Sequence, residues 1–154
     1  MALTIEQEIL IDAPVEVVWR VLTEPEQVRR WFAEEVDLDP TAGYDGSLTF
    51  NQSAARSLRV HVTVQSVEPV RSFSYRWLHP QGAEAVEGNS TLVEFTLTPE
   101  GDGTRLRVVE SGLDQMNWPP QERDAFIDEH THGWVTYLGR LRDLVNRQRA
   151  ERTP

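Results

Sequence analysis

The stretch QERDAFIDEHTHGWVTYLGRLRDLVNRQ, Gln121 to Gln148, decides the fold. Within it Phe126, His130, Gly133, Trp134, Tyr137, Leu138, Leu141, Leu144 and Val145 recur at spacings of three and four, so they share one face of a helix. At ~1.5 Å rise per residue such a helix is roughly 40 Å long, longer than a typical strand. It needs a broad partner surface. Its stripe also places a histidine and a glycine among large apolar groups, which suggests a helix that closes over a pocket as well as filling a core.

The sequence upstream supplies the surface. Thr4–Ile11 alternates and reads as a strand. Asp12-Ala13-Pro14 then starts a helix, with an acid at the cap and proline in the first turn, and Val15, Val18, Trp19 and Leu22 form its buried face. Thr23-Glu24-Pro25 breaks it and begins a second short helix through Arg30. Trp31-Phe32 follows, then an edge strand from Ala33 to Leu38. After the acidic loop Asp39–Asp45, Leu48 and Phe50 mark a strand, and Asn51–Ser57 reads as a polar connection. Leu58, Val60, Val62 and Val64 alternate with Arg59, His61, Thr63 and Gln65. Phe73, Tyr75 and Trp77 alternate with Ser72, Ser74 and Arg76, giving His61 and Arg76 outward, solvated parity. His79–Asn89 is a loop. Val93, Phe95 and Leu97 mark a further strand, the Glu100-Gly101-Asp102-Gly103 turn makes a hairpin, and Leu106, Val108 and Glu110 share one face of the last strand. Strands joined by short turns pair antiparallel, and helices packed on one face of such a sheet give an α+β domain. We expect six to seven strands in one domain over residues 1–154.

Composition narrows the function classes. The 154 residues carry a formal charge of −10, which disfavours nucleic acid and anionic membranes as partners. All 15 basic residues are arginine, and no cluster of them reads as a phosphate clamp. Without cysteine there are neither disulfides nor thiolate metal sites. No stretch approaches the length of a membrane span, and the N-terminus lacks the profile of a signal peptide, so the expected location is the cytoplasm.

No phosphate-binding glycine loop, nucleophile elbow or dinucleotide fingerprint is present, and we expect no cofactor. His130 and His132 lie near Asp128 and Glu129, but ligands on one helix face stand three or four residues apart, so no metal is expected. Glu110 is the acid of most interest, because its parity turns it toward the helix stripe that holds His130. The two can meet as a polar anchor or general acid–base pair in an apolar pocket, or as a structural pair that orients the helix. Trp31, Phe50, Phe73, Tyr75, Trp77, Phe95, Trp118, Trp134 and Tyr137 are the aromatic side chains available to wall such a pocket. Gly133 lowers helix propensity by about 1 kcal/mol relative to alanine, so either close approach to the sheet or room for a ligand should offset it.

These elements in this order carry a resemblance. Ile11-Asp12-Ala13-Pro14, Val18-Trp19, Leu22-Thr23, Pro25-Glu26 and Arg30-Trp31-Phe32 occur with Gly103-Thr104-Arg105-Leu106 and with Gly133-Trp134, Tyr137-Leu138 and Leu141. The chain thereby resembles, end to end, the START-related helix-grip superfamily, which includes polyketide cyclases. Within it the chain is most similar to the family named for the activator of the Hsp90 ATPase. The resemblance implies a curved antiparallel sheet gripping the C-terminal helix, with an apolar cavity between them. It implies a binder of a small apolar or aromatic molecule. The alternatives are a cyclase- or dehydratase-type enzyme using Glu110, His130 and a tyrosine, and a co-chaperone that docks on a partner ATPase. The activator that names the family has a separate chaperone-binding domain, which the sequence is read as lacking. Fold membership does not by itself fix activity. Monomer and weak homodimer both remain open, since Glu34, Glu35 and Asp37 oppose pairing through the expected edge strand.

Overall fold

The computed structural model describes residues 3–53, 56–78, 90–116 and 118–152. Strand β1 (Ile5–Ile11) leads into helices α1 (Val15–Thr23) and α2 (Pro25–Trp31). Six strands follow: β2 (Glu35–Asp37), β3 (Asp45–Ser53), β4 (Arg56–Glu68), β5 (Ser72–Leu78), β6 (Ser90–Glu100) and β7 (Gly103–Ser111). A single 3-10 turn, Leu113–Gln115, precedes the long helix α3 (Pro120–Arg152). The seven strands form one sheet in the order β1-β7-β6-β5-β4-β3-β2, every neighbouring pair antiparallel. A long crossing from β1 through both short helices to the far edge puts β1 beside the last strand.

Local chemistry explains the element ends. Pro25 opens α2, where its missing N–H leaves no bond unmade. The β6–β7 turn places Gly101 at φ 60°, the left-handed backbone that its first central position requires. Four bounds differ from the sequence reading. Pro14, not Asp12, stands at the cap of α1, and no side chain bonds the helix end there. The edge strand shrinks to Glu35–Asp37, because Ala33 and Leu38 at its expected ends turn into the core, 2% and 6% exposed. Strands β3 and β4 run into the stretch 51–57 read as a connection. Helix α3 begins at Pro120 and runs to Arg152, beyond the expected Gln148, as no proline or glycine interrupts its last turns. The expected loop at 79–89 lies outside the described residues.

The core sits between the inner sheet face and the helices. Val60, Val62, Val64, Phe73, Tyr75, Val93, Phe95, Leu106 and Val108 supply the sheet side by strand alternation. Val18, Val21 and Leu22 of α1, Val28 and Trp31 of α2, and Trp134, Leu138, Leu141, Leu144 and Val145 of α3 supply the other. The apolar stripe of α3 is fully buried only from Trp134 onward; Phe126, His130 and Tyr137 are half-buried. The two halves of α3 thus do different work. The second half packs on β1, α1 and α2, with Gln148 bonded to Gln27 at 2.6 Å, while the first half overhangs the site.

Candidate functional site

Register places the site's central group. Tyr75 pairs with Val93, Val93 with Glu110, and Glu110 with Ile5, so these four side chains stand in one row across β5, β6, β7 and β1 on the inner face. Glu110 is fully buried. An isolated carboxylate there would be prohibitive, and three donors offset it. Thr91 Oγ1 donates to Oε2 at 2.8 Å, His130 Nδ1 to Oε1 at 2.8 Å, and Trp134 Nε1 to the same Oε1 at 3.1 Å. His130 and Trp134 stand four residues apart on α3, hence on one face, and converge on one oxygen. Burial pushes the Glu110 carboxyl up, but the hydrogen bond from His130 and, when that ring is protonated, its charge, with the bonds from Thr91 and Trp134, outweigh it and hold the group below its ordinary 4.5. An ionised carboxylate only accepts, so His130 Nδ1 carries the proton of their bond.

Over His130 lies a cleft of about 340 Å³ between β3, β4 and β5 on one side and α3 on the other. Phe32 is the hub of its walls: its ring lies 5.0 Å from that of Tyr137, 5.2 Å from Phe50, 5.4 Å from Trp134 and 6.1 Å from Trp77. The His130 ring stacks on Phe126 at 3.7 Å and stands edge-on to Trp77 at 5.9 Å. Glu34, Asn51, Leu58, Glu129, Gly133 and Arg140 complete the lining. Arg140 sits over the Tyr137 ring at 5.4 Å. Burial pushes the Tyr137 hydroxyl up, against the opposing charge of Arg140.

Two other clefts lack this combination. One of about 380 Å³ between α1 and the end of α3 is lined by residues such as Arg20, Glu24 and Gln148. A wide one of about 650 Å³ along β2 and β3 has no aromatic ring in its lining.

Of the residues singled out from sequence, Phe50, Trp77, His130, Trp134 and Tyr137 line the cleft, and Glu110 lies behind His130. Trp31, Phe73 and Phe95 are core side chains. Trp31 donates to Val21 O at 2.8 Å, Phe73 meets Trp19, and Phe95 stands edge-on to Trp134. Tyr75 is buried one row deeper, its hydroxyl without a hydrogen-bond partner among the described residues and pushed well up by burial and then by Glu110. Trp118 packs on Phe126 outside the lining. His61 is exposed, and Arg76 bonds Gln65 on the outer face. His132 points away from His130 and bonds Asp128 O, and no group of three potential ligands is placed to hold a metal ion among the described residues.

Sequence reasoning missed Phe32 and Thr91. Phe32 caps α2 and belongs to no periodic run. Thr91 was legible in principle, since it shares the parity of Val93 and Phe95 and is the polar member of an apolar row.

A curved antiparallel sheet closed on a long C-terminal helix is the helix-grip arrangement of START-like proteins. The chain belongs to the family of activator of Hsp90 ATPase homolog 1-like proteins, whose model matches residues 12–146. Protein MLL2253 from Mesorhizobium loti is 31% identical over 94% of this chain and 98% of that one, with a TM-score of 0.75. DynU16, from the dynemicin biosynthetic locus, is 24% identical over 93% of this chain and 47% of its own, with a TM-score of 0.72. The Aha1 dimer from Colwellia psychrerythraea is 20% identical over 93% of this chain and 96% of that one, with a TM-score of 0.72. No curated protein matches the sequence.

Proposed function

We propose that this protein binds a small apolar or aromatic molecule in the cleft between sheet and helix, with His130 as its polar anchor. One observation carries the reading: a half-buried imidazole, fixed from behind by a buried carboxylate, opens into a cleft walled by aromatic rings. Gly133 supports it. A Cβ built there meets only the Tyr137 ring, at 3.8 Å, so close packing does not demand glycine, whereas the cleft beside it does gain room. The occurrence of DynU16 in a biosynthetic locus is compatible with a small organic ligand.

The Glu110–His130 bond favours a second reading, a cyclase- or dehydratase-type enzyme in which the imidazole moves a proton on the bound ligand. A docking role on a partner ATPase has less to rest on, since among the described residues the large exposed apolar side chains, Leu10, Leu58 and Val135, sit on three different elements. Among the described residues no helix is long and apolar enough to cross a membrane, and we place the protein in the cytoplasm as a monomer or weak homodimer.

Native mass spectrometry of protein isolated from its own cells tests the binding reading. A stoichiometric small-molecule passenger is expected. Protein that emerges empty and takes up no aromatic molecule on titration would overturn it. Turnover of an identified ligand that disappears in Glu110→Gln while binding persists would favour the enzyme.

A further inference from the structure

His130 Nδ1 is committed to Glu110, while Nε2 has no hydrogen-bond partner among the described residues, and the side chain is 20% exposed where it lines the cleft. A neutral imidazole whose Nδ1 carries the proton presents a lone pair at Nε2, and a carboxylate behind the ring strengthens that lone pair as an acceptor. The neighbouring indole N–H of Trp134 is already spent on Glu110.

Charge narrows what can approach. Glu34 and Glu129 on the rim and Glu110 behind the imidazole set three carboxylates against the single guanidinium of Arg140 in the lining. An anionic ligand meets net repulsion there, and a neutral group that donates a hydrogen bond does not. Rings on both sides of the cleft favour a flat partner.

Resting on the ligand-cleft reading, we infer that the cleft selects planar aromatic molecules bearing a neutral hydroxyl, of the phenol or naphthol class, and that His130 Nε2 is the acceptor that selects them. Glu110 is then a positioning residue: it fixes the tautomer and ring orientation from outside the ligand's reach.

The test compares 2-naphthol, 2-methoxynaphthalene and 2-naphthoate by calorimetric titration of the wild-type protein, with the imidazole nitrogen signals of His130 followed by NMR. The ether buries more apolar surface, so simple hydrophobic capture would favour it. We expect 2-naphthol to bind about tenfold tighter than the ether, in line with one hydrogen bond to a polarised acceptor, and naphthoate to bind weakest. The Nε2 signal should move with 2-naphthol and not with the ether. In His130→Phe the naphthol preference should vanish; if that variant fails to fold, the wild-type series and the Nε2 signal decide. Equal binding of naphthol and ether, or a preference for naphthoate, overturns the inference and leaves the cleft standing. Failure of all three to bind overturns the ligand-cleft reading and the inference with it.

Discussion

The imidazole of His130 and the carboxylate of Glu110 meet at 2.8 Å across the boundary between α3 and the sheet, and Trp134, one helical turn along, donates to the same oxygen. One buried charge thereby fixes the rotation of the helix and the orientation of the ring that faces the cleft. Structural and functional roles coincide in it, so variants must be chosen to separate them.

Glu110→Gln keeps the shape but removes the charge: its amide oxygen can still accept from His130 and Trp134, while its N–H₂ faces the Thr91 hydroxyl, which must turn from donor to acceptor. We expect a loss of about 2 kcal/mol, the scale of hydrogen bonds made to a charged group, read from urea unfolding. A loss below about 1 kcal/mol would show that the carboxylate is not held as described.

The same carboxylate sets an acid limit. Its folded pKa lies below the ordinary 4.5, so the unfolded chain binds the proton more readily. The stability Glu110 contributes is therefore fully present above that ordinary value and drains away as pH falls through the lower, folded one. Unfolding free energy measured from about pH 6 down to pH 3 should fall more steeply in wild type than in Glu110→Gln. Parallel curves would contradict the assignment.

Gly133→Leu places a side chain in the cleft while helix propensity improves by nearly 1 kcal/mol. With only the Tyr137 ring near the new Cβ, folding stability should hold or rise, and binding of an aromatic ligand should fall at least tenfold. Unchanged binding, measured by the same titration as wild type, would remove the pocket from beneath this turn.

Tyr75→Phe probes the row behind the site. Its hydroxyl is buried without a partner among the described residues, and such a group costs about 1–3 kcal/mol. The variant should be as stable as wild type or more so. Destabilisation by more than about 1 kcal/mol would reveal a partner for that hydroxyl.

Periodicity exposed much of this architecture and only part of the site. The spacing from Phe126 to Val145 is that of a buried helix face, and the alternation of Leu106, Val108 and Glu110 turns a carboxylate inward, because both follow from one element's geometry. Phe73, Tyr75 and Trp77 share parity equally well, yet only Trp77 reaches the cleft, since position along the strand relative to the overhanging helix decides which inward ring is core and which is wall. That depends on where α3 crosses the sheet, a tertiary quantity. Phe32 shows the same limit: beyond its sequence neighbour Trp31 it meets four more rings, which the docking of α2 against α3 brings to it, and nothing in its neighbours' spacing predicts them.

If the aromatic cleft over His130 receives a ligand, the five tryptophans are its natural reporters. Their indole N–H signals should be followed by NMR as 2-naphthol is added. Trp77 and Trp134 line the cleft, Trp31 stacks at 4.9 Å on the cleft ring of Phe32, and Trp19 on α1 packs on Phe73 outside the lining. The Trp77 and Trp134 signals, together with His130, should move in a saturable way while that of Trp19 stays in place. Saturable shifts at Trp19 with Trp77 and Trp134 unmoved, or no shift anywhere, would contradict binding in the cleft.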